Sequence, residues 1–82
     1  MTYEVDVGSV REELEALPRR ALVDLAELVA VLEVAPWSGA PLVDRNPRGA
    51  VRAMAFGTGG LVTHVVVEHL ARVDLLQMHW VA

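Results

Sequence analysis

The chain has 82 residues, of which 7 are basic, all of them arginine, and 11 are acidic, so the formal net charge is −4. Small domains that bind nucleic acid electrostatically are usually basic, because their affinity comes largely from cations on phosphates. The charge balance therefore argues against that class. The absence of cysteine excludes a disulfide scaffold, a thiolate zinc site and a cysteine nucleophile.

The length fits one domain over residues 1–82, because domains usually run to about 100–150 residues. The first residues show no basic and apolar signal segment, and no apolar run approaches the ~20 residues that cross a bilayer. We therefore expect a cytoplasmic protein with no membrane partner. A short domain with 54% apolar residues is also expected to bind a partner, either another copy or a different protein.

The N-terminal third predicts a strand followed by two helices. Residues 2–7 alternate between apolar and polar, the period of a half-buried strand. Ser9 and Glu12 have the spacing of a capping box and predict a helix near 9–17. A proline then interrupts this helix and is suited to begin the next, over about 18–34.

The two predicted helices share an apolar stripe at three- and four-residue spacing. Further apolar residues widen this surface along the second helix, so one sheet face cannot cover all of it. The stripe comprises Leu14, Leu17, Ala21, Leu25, Leu28 and Leu32, and the widening residues are Val23, Ala26, Ala30, Val31 and Val34.

The rest of the chain predicts a loop and three strands. Residues 35–49 hold three of the four prolines and are predicted to form a loop with a short extended piece at 42–43. Strand patterns follow at 50–56, 61–69 and 73–81, with a glycine-rich turn after the first of them. Connections this short require antiparallel pairing. We predict an α+β fold of order β-α-α-β-β-β, an antiparallel sheet with a helical hairpin packed on one face. Periodicity alone does not place the first strand.

Three arginines, Arg45, Arg48 and Arg52, form the chain's basic cluster. Guanidinium groups bind phosphates or carboxylates through paired hydrogen bonds, so the cluster is a candidate site for a phosphate or for an acidic partner. The alternative is a solvated loop whose charge is balanced by Asp44 and the acidic helix.

Histidines on the last two strands are candidates for proton transfer. His64 and Glu68 share a face if residues 61–69 form one strand, whereas His69 faces the other way. His79 joins them if the register of the final strand allows it. A carboxylate beside an imidazole raises its pKa and suits it to acid–base work, although many exposed surface pairs look the same. No ligand pair has a recognised zinc spacing, so we predict no metal and no other cofactor.

The tryptophans and the glycine-rich turn have plainer interpretations. Trp80 lies in the last predicted strand and Trp37 in the proline loop, and both are interpreted as core or interface residues. The glycines at 57–60 connect two strands without the ending of a phosphate-binding loop, so we predict a hairpin turn.

The order of elements resembles the RelE/ParE superfamily of bacterial toxin–antitoxin modules over nearly the whole chain. The resemblance rests on an opening strand, a helical hairpin core, a proline loop after the second helix, and a meander that ends in a histidine and an aromatic residue. They are Tyr3-Glu4-Val5, then Leu14, Leu17, Ala21 and Leu25, then Val34-Ala35-Pro36 with Pro41-Leu42, then residues 51–57, Val73-Asp74-Leu75-Leu76 and His79-Trp80.

This resemblance implies a toxin whose partner is an antitoxin. In an active version, Arg48 and Arg52 would hold phosphate, and His64 or His79 would move a proton in ribosome-dependent cleavage of mRNA. The chain departs from that pattern: it has no lysine, and residues 62–64 lack the family's aromatic–arginine pair. The net negative charge also disfavours the ribosome and mRNA as partners.

We therefore expect a toxin-fold protein that acts by protein binding, with RNA cleavage weak or absent, and not as an enzyme. The apolar second helix would bind an antitoxin helix or a second copy. The alternative is a small homodimeric α+β interaction module with no catalytic activity. A small antitoxin-like gene beside this one would distinguish the first hypothesis from the second.

Overall fold

A computed structural model describes residues 2–81 as one five-stranded sheet covered on one side by two helices. The sheet order is β1-β5-β4-β3-β2. In chain order the elements are β1 (Glu4–Asp6), α1 (Arg11–Ala16), α2 (Arg19–Val34), β2 (Ala40–Pro41), β3 (Val51–Phe56), β4 (Gly60–Val67) and β5 (Arg72–Trp80), with short 3-10 turns at Gly8–Val10 and Glu68–Leu70.

The predicted α+β fold is confirmed, and the structure adds the position of the first strand. Strands β3, β4 and β5 form the expected antiparallel meander, and β1 pairs with β5 in parallel, with Val5 opposite Val73. The sheet is therefore mixed, not purely antiparallel as predicted. Parallel neighbours need a long connection, and here the helices and most of the meander supply it. The short extended piece lies at Ala40–Pro41, not at 42–43.

The first helix begins differently from the prediction. Residues Gly8–Val10 form a 3-10 turn before α1, with no side-chain cap, so the capping box of Ser9 and Glu12 is wrong. Instead, the Gly8 backbone N–H donates to Asp6 Oδ1 at 2.8 Å. An aspartate that accepts from the amide two residues on starts a turn locally. The chain therefore turns one residue before Ser9.

The second helix begins directly after Pro18, as the position of this proline led us to predict. Pro18 is extended, with φ −68° and ψ 158°, which separates α1 from α2. Its carbonyl accepts the backbone N–H groups of Ala21 and Leu22 at 3.0 and 3.1 Å. The core lies between α2 and the sheet and contains Val10, Ala21, Leu25, Leu28, Leu32, Phe56, Val62, Val73, Leu75 and Met78.

Ala71, which follows the second 3-10 turn, has a left-handed backbone at φ 49° and ψ 47°. Its carbonyl accepts the Glu4 N–H at 2.9 Å, so this conformation helps to seat β1 against β5. A left-handed alanine costs roughly 1–2 kcal/mol, and the extra freedom of an unfolded glycine costs about 0.5–1 kcal/mol.

Ala71→Gly is therefore expected to raise the free energy of unfolding by about 0.5–1 kcal/mol, measured by urea denaturation. Ala55→Gly, at an exposed position of β3, is the matched control and is expected to lower it by a similar amount. An Ala71→Gly protein less stable than the wild type would contradict the strain assigned to Ala71.

Candidate functional site: the open sheet face and the Arg52 loop

Register decides which candidate residues face the helices and which face outward. Arg52 pairs with His64, and His64 pairs with the buried Leu75, so all three lie on the helix side. The neighbouring positions in each strand alternate to the uncovered side, which we call the open face. In β3 and β4 the open face consists of Val51, Ala53, Ala55, Leu61, Thr63, Val65 and Val67.

Arg52 is held inside the loop that joins α2 to β3. Its guanidinium donates to the carbonyls of Pro47 and Gly49 at 3.2 Å each and of Gly39 at 3.0 Å. It lies 5.9 Å from the centre of the Trp37 ring and is only 8% exposed. A guanidinium whose donors mostly bind carbonyls holds the loop in place and has few free N–H groups to bind a phosphate.

The other two arginines of the basic cluster are exposed on the same loop. Arg48 lines a shallow cleft with Trp37, Pro47 and Arg52. Arg45 does not line that cleft. The structure thus brings Arg48 and Arg52 together on the helix side of the sheet edge, whereas their use as phosphate or partner ligands stays a prediction.

His64 is fully buried, with 0% of its surface exposed. Its Nε2 lies 3.2 Å from the Pro36 carbonyl oxygen, an acceptor, so Nε2 carries the proton and donates. Burial lowers the pKa of His64, the Pro36 bond acts in the opposite direction, and nearby Arg52 lowers it further. The imidazole is therefore a neutral core group that joins the sheet to the end of α2.

The structure separates the three groups that the sequence placed together. Strand β4 ends at Val67, so Glu68 lies in the 3-10 turn and not on the strand. His79 is exposed and pairs with Leu61 on the open face, opposite to His64. The cause is a bulge: Thr63 pairs with Gln77 but His64 pairs with Leu75, so β5 has one extra residue there.

The buried imidazole makes stability depend on pH. Because the folded-state pKa of His64 is lowered, the unfolded chain binds a proton first as pH falls through its ordinary value of 6.5. Stability is then full above pH ~6.5 and decreases below it, by at most about 1.4 kcal/mol per pH unit.

We expect urea midpoints measured at pH 7.5 and 5.5 to differ in the wild type, with the lower midpoint at pH 5.5. The difference should shrink in His64→Gln, whose amide cannot titrate but retains a donor for Pro36. Exposed His69 and His79 serve as controls, since their alanine variants should keep the wild-type difference. An unchanged difference in His64→Gln would contradict this assignment.

The open face is apolar in its centre and acidic along β1 and β5. Glu4 pairs with Arg72 and Asp6 with Asp74, so four charged side chains share this face. Arg72 Nε lies 2.8 Å from Asp74 Oδ1, and Nη2 donates to Oδ2 at 3.2 Å. The single arginine is thus paired, and the group as a whole carries excess negative charge.

Comparison with known proteins identifies this architecture. The sequence matches no family model and no curated protein. The structure is similar to a chain of the RelBE2 toxin–antitoxin complex from Mycobacterium tuberculosis, with TM-score 0.80 and 20% identity over 100% of this chain and 94% of that chain. It is also similar to a variant of the E. coli toxin RelE in the free state, with TM-score 0.74 and 15% identity over 98% of this chain and 84% of that chain. The chain has the RelE toxin fold.

On this RelE fold the acidic group of the open face is a feature that sequence reasoning missed. The alternation that exposes Glu4 and Asp6 was visible in residues 2–7. What was not visible is the parallel pairing of β1 with β5, which puts Glu4 beside Arg72 and Asp6 beside Asp74. The register of a strand with its distant neighbour has no local signal in the chain.

The RelE-fold chain offers no metal centre within residues 2–81: no cluster of three or more histidine, aspartate or glutamate side chains is placed to hold an ion. In the same range, no helix is long and apolar enough to cross a membrane. Trp80 packs against the core, with the Arg20 guanidinium 5.6 Å from its ring centre. Trp37 is 39% exposed beside Arg52.

Proposed function

We propose that this chain is a RelE-fold protein of a bacterial toxin–antitoxin system that acts by binding protein, with ribosome-dependent RNA cleavage weak or absent. The observation that carries the proposal is the charge of the open face. Glu4, Asp6 and Asp74 lie there with one cation, Arg72, which is already paired with Asp74.

This face is poorly suited to an RNA backbone. Binding to phosphates depends on cations that replace the counterions of the nucleic acid. In the described part of the chain, Arg72 is the only arginine on the open face, and the two carboxylates of β1 would repel phosphate. Of the two histidines on strands, His79 lies on this face and His64 is buried on the other side. One imidazole without a free cation gives little basis for phosphodiester cleavage.

The same face is suited to a protein. Leu61 is 46% exposed on this face, the open-face valines of β3 and β4 lie beside it, and one of them, Val65, pairs with Asp74 of the acidic group. An exposed apolar surface next to acidic groups matches a segment with apolar and basic side chains. The similar chain from M. tuberculosis belongs to a toxin–antitoxin complex, which supports an antitoxin-like segment as the partner.

The catalytic half of the proposal is tested with purified protein, translating ribosomes and an mRNA, read by primer extension. We expect no cleavage above a sample without the protein, and normal growth when the chain is expressed in bacteria. His79→Ala should behave like the wild type in both assays. Cleavage or growth arrest that His79→Ala abolishes would overturn this half.

The binding half is tested with the product of a small gene adjacent to this one, measured by calorimetry. Glu4→Arg should weaken the complex about tenfold, the effect of losing ~1.4 kcal/mol at a partly buried charge contact. Glu12→Arg is the matched control, because Glu12 is an exposed acidic residue on α1, away from the open face. Equal affinity for both variants would show that the partner does not use the open face.

A second candidate function is the homodimeric interaction module without catalytic activity. The exposed apolar residues along α2 favour it, because they lie on the side of the helix that the sheet does not cover. If no antitoxin-like gene lies beside this one, the module becomes the better hypothesis.

A further inference from the structure

The outward side of α2 is more apolar than a solvent-facing helix surface normally is. Val23 is 56% exposed and Val34 is 69% exposed, and Leu22, Ala26 and Ala30 are exposed as well. A shallow apolar groove lined by Val7, Leu14, Leu22, Leu25, Ala26 and Val29 adjoins these residues and continues the surface toward α1.

The residues along this side are spaced symmetrically about a central alanine and carry opposite charges at the two ends. Arg19, Leu22, Ala26, Ala30 and Glu33 follow one another at spacings of three, four, four and three residues. At ~100° per residue, all five lie within about 40° of the direction of Ala26. We call these five residues the α2 stripe. It begins with a cation and ends with an anion at equal distances from its central alanine.

We propose that two copies of this chain associate through the α2 stripe as an antiparallel helix pair, with the twofold axis at Ala26. Turning one copy about that axis places Arg19 opposite Glu33 of the second copy. It also places the large Leu22 opposite the small Ala30. Each contact then occurs twice, as a twofold interface between identical surfaces requires.

The charges of the stripe select a second copy as the occupant. Arg19 and Glu33 are exposed, and neither forms an ion pair within residues 2–81. In an antiparallel pair, each finds an opposite charge, and the helix dipoles also oppose one another favourably. A parallel pair would instead set Arg19 against Arg19 and Glu33 against Glu33. Small residues at the centre let the two helices approach closely.

This association is independent of the antitoxin binding proposed first, and it specifies the interface of the second candidate, the homodimeric module. The α2 stripe faces away from the sheet, whereas the proposed partner surface is the open face on its other side. A dimer through α2 would leave both open faces accessible. Failure of antitoxin binding and failure of dimerisation would therefore be separate results.

Sedimentation equilibrium of the full chain, with charge-reversed variants, tests the interface. The wild type should be dimeric, and Arg19→Glu or Glu33→Arg should each weaken the dimer about tenfold or more, because two attractive pairs become two repulsive ones. The double variant Arg19→Glu/Glu33→Arg should restore wild-type affinity, since each new charge again faces its opposite. Restoration also shows that neither substitution by itself prevents the chain from folding.

Disulfide trapping tests the position of the axis. Because the chain has no native cysteine, only the introduced cysteine can crosslink. Closely packed helices bring Cα atoms at the axis within the ~4.4–6.8 Å that a disulfide spans. Ala26→Cys should crosslink rapidly into a dimer on mild oxidation. Ala55→Cys, an exposed alanine on the open face, is the matched control and should crosslink only slowly.

Three results would overturn the proposal. The first is a monomeric wild type at the highest concentration the protein tolerates. The second is a dimer whose affinity the single charge reversals do not change, or the double reversal does not restore. The third is equal crosslinking of Ala26→Cys and Ala55→Cys.

Discussion

Arg52→Ala is expected to lower the free energy of unfolding by roughly 2–4 kcal/mol, a large part of the total for so small a domain. The guanidinium donates to the carbonyls of Pro47, Gly49 and Gly39, and the alanine would leave these acceptors without their partner. It would also remove the cation from above the Trp37 ring. Urea denaturation followed by tryptophan fluorescence measures the change.

Arg48→Ala is the matched control, because Arg48 lies on the same loop and is exposed. Its effect is expected to stay within about 0.5 kcal/mol. Arg52→Lys should fall between the two, since one ammonium cannot reproduce the planar set of donors. If Arg52→Ala were as stable as Arg48→Ala, the loop would not depend on these bonds. Any growth assay that removes both arginines would therefore measure folding as well as function, and Arg48→Ala alone is the informative variant.

Gly39→Ala is expected to lower the free energy of unfolding by roughly 2–4 kcal/mol. Gly39 has φ +89°, a backbone region that residues with a Cβ rarely adopt. An added Cβ would also collide with the Ala53 carbonyl oxygen and approach Met54 Cβ to 3.3 Å. Both contacts belong to β3, which pairs with β2 immediately after Gly39. Thermal and urea denaturation measure the loss.

Gly8→Ala is the control for this variant. Gly8 has no positive φ, and its added Cβ would meet only Asp6 Oδ1, a side-chain atom that can move, at 3.0 Å. We expect a smaller loss there. Because Gly39 and Arg52 stabilise the same loop, the Gly39→Ala/Arg52→Ala double variant should lose less than the sum of the two single effects. Simple additivity would show that the two residues act on separate parts of the fold.

The elements that the sequence predicted well are those specified by local patterns. The leucine spacing and the proline before it place the second helix at 18–34, against Arg19–Val34 in the structure. Alternation and glycine turns place the three meander strands to within a few residues. Each of these signals acts over a few neighbours, so it can be read without knowing the rest of the fold.

The parts that sequence reasoning missed depend on distant partners. Nothing near residues 2–7 indicates that β1 will lie parallel to β5, and nothing near β2 indicates which carbonyls Arg52 will bind. The sequence leaves Arg52 and His64 as candidates either for function or for solvated surface positions, yet both are buried and bond to backbone carbonyls. Buried polar groups of this kind are stabilised by hydrogen-bond partners far along the chain, and the composition does not reveal those partners.

The bulge in β5 determines which surface each later side chain of that strand faces. Before the extra residue, odd-numbered positions such as Val73 and Leu75 face the helices, and after it the even-numbered Met78 does. Deleting Leu76 would remove the bulge and restore regular alternation, so Gln77 and His79 would stay on the open face and Met78 would stay in the core. Inserting one residue between Gln77 and Met78 would instead move every later side chain to the opposite surface, with the His79 imidazole in the core and the Met78 thioether in water. The strand can therefore lose one codon at the bulge, but the gain of one codon beyond it would invert its end.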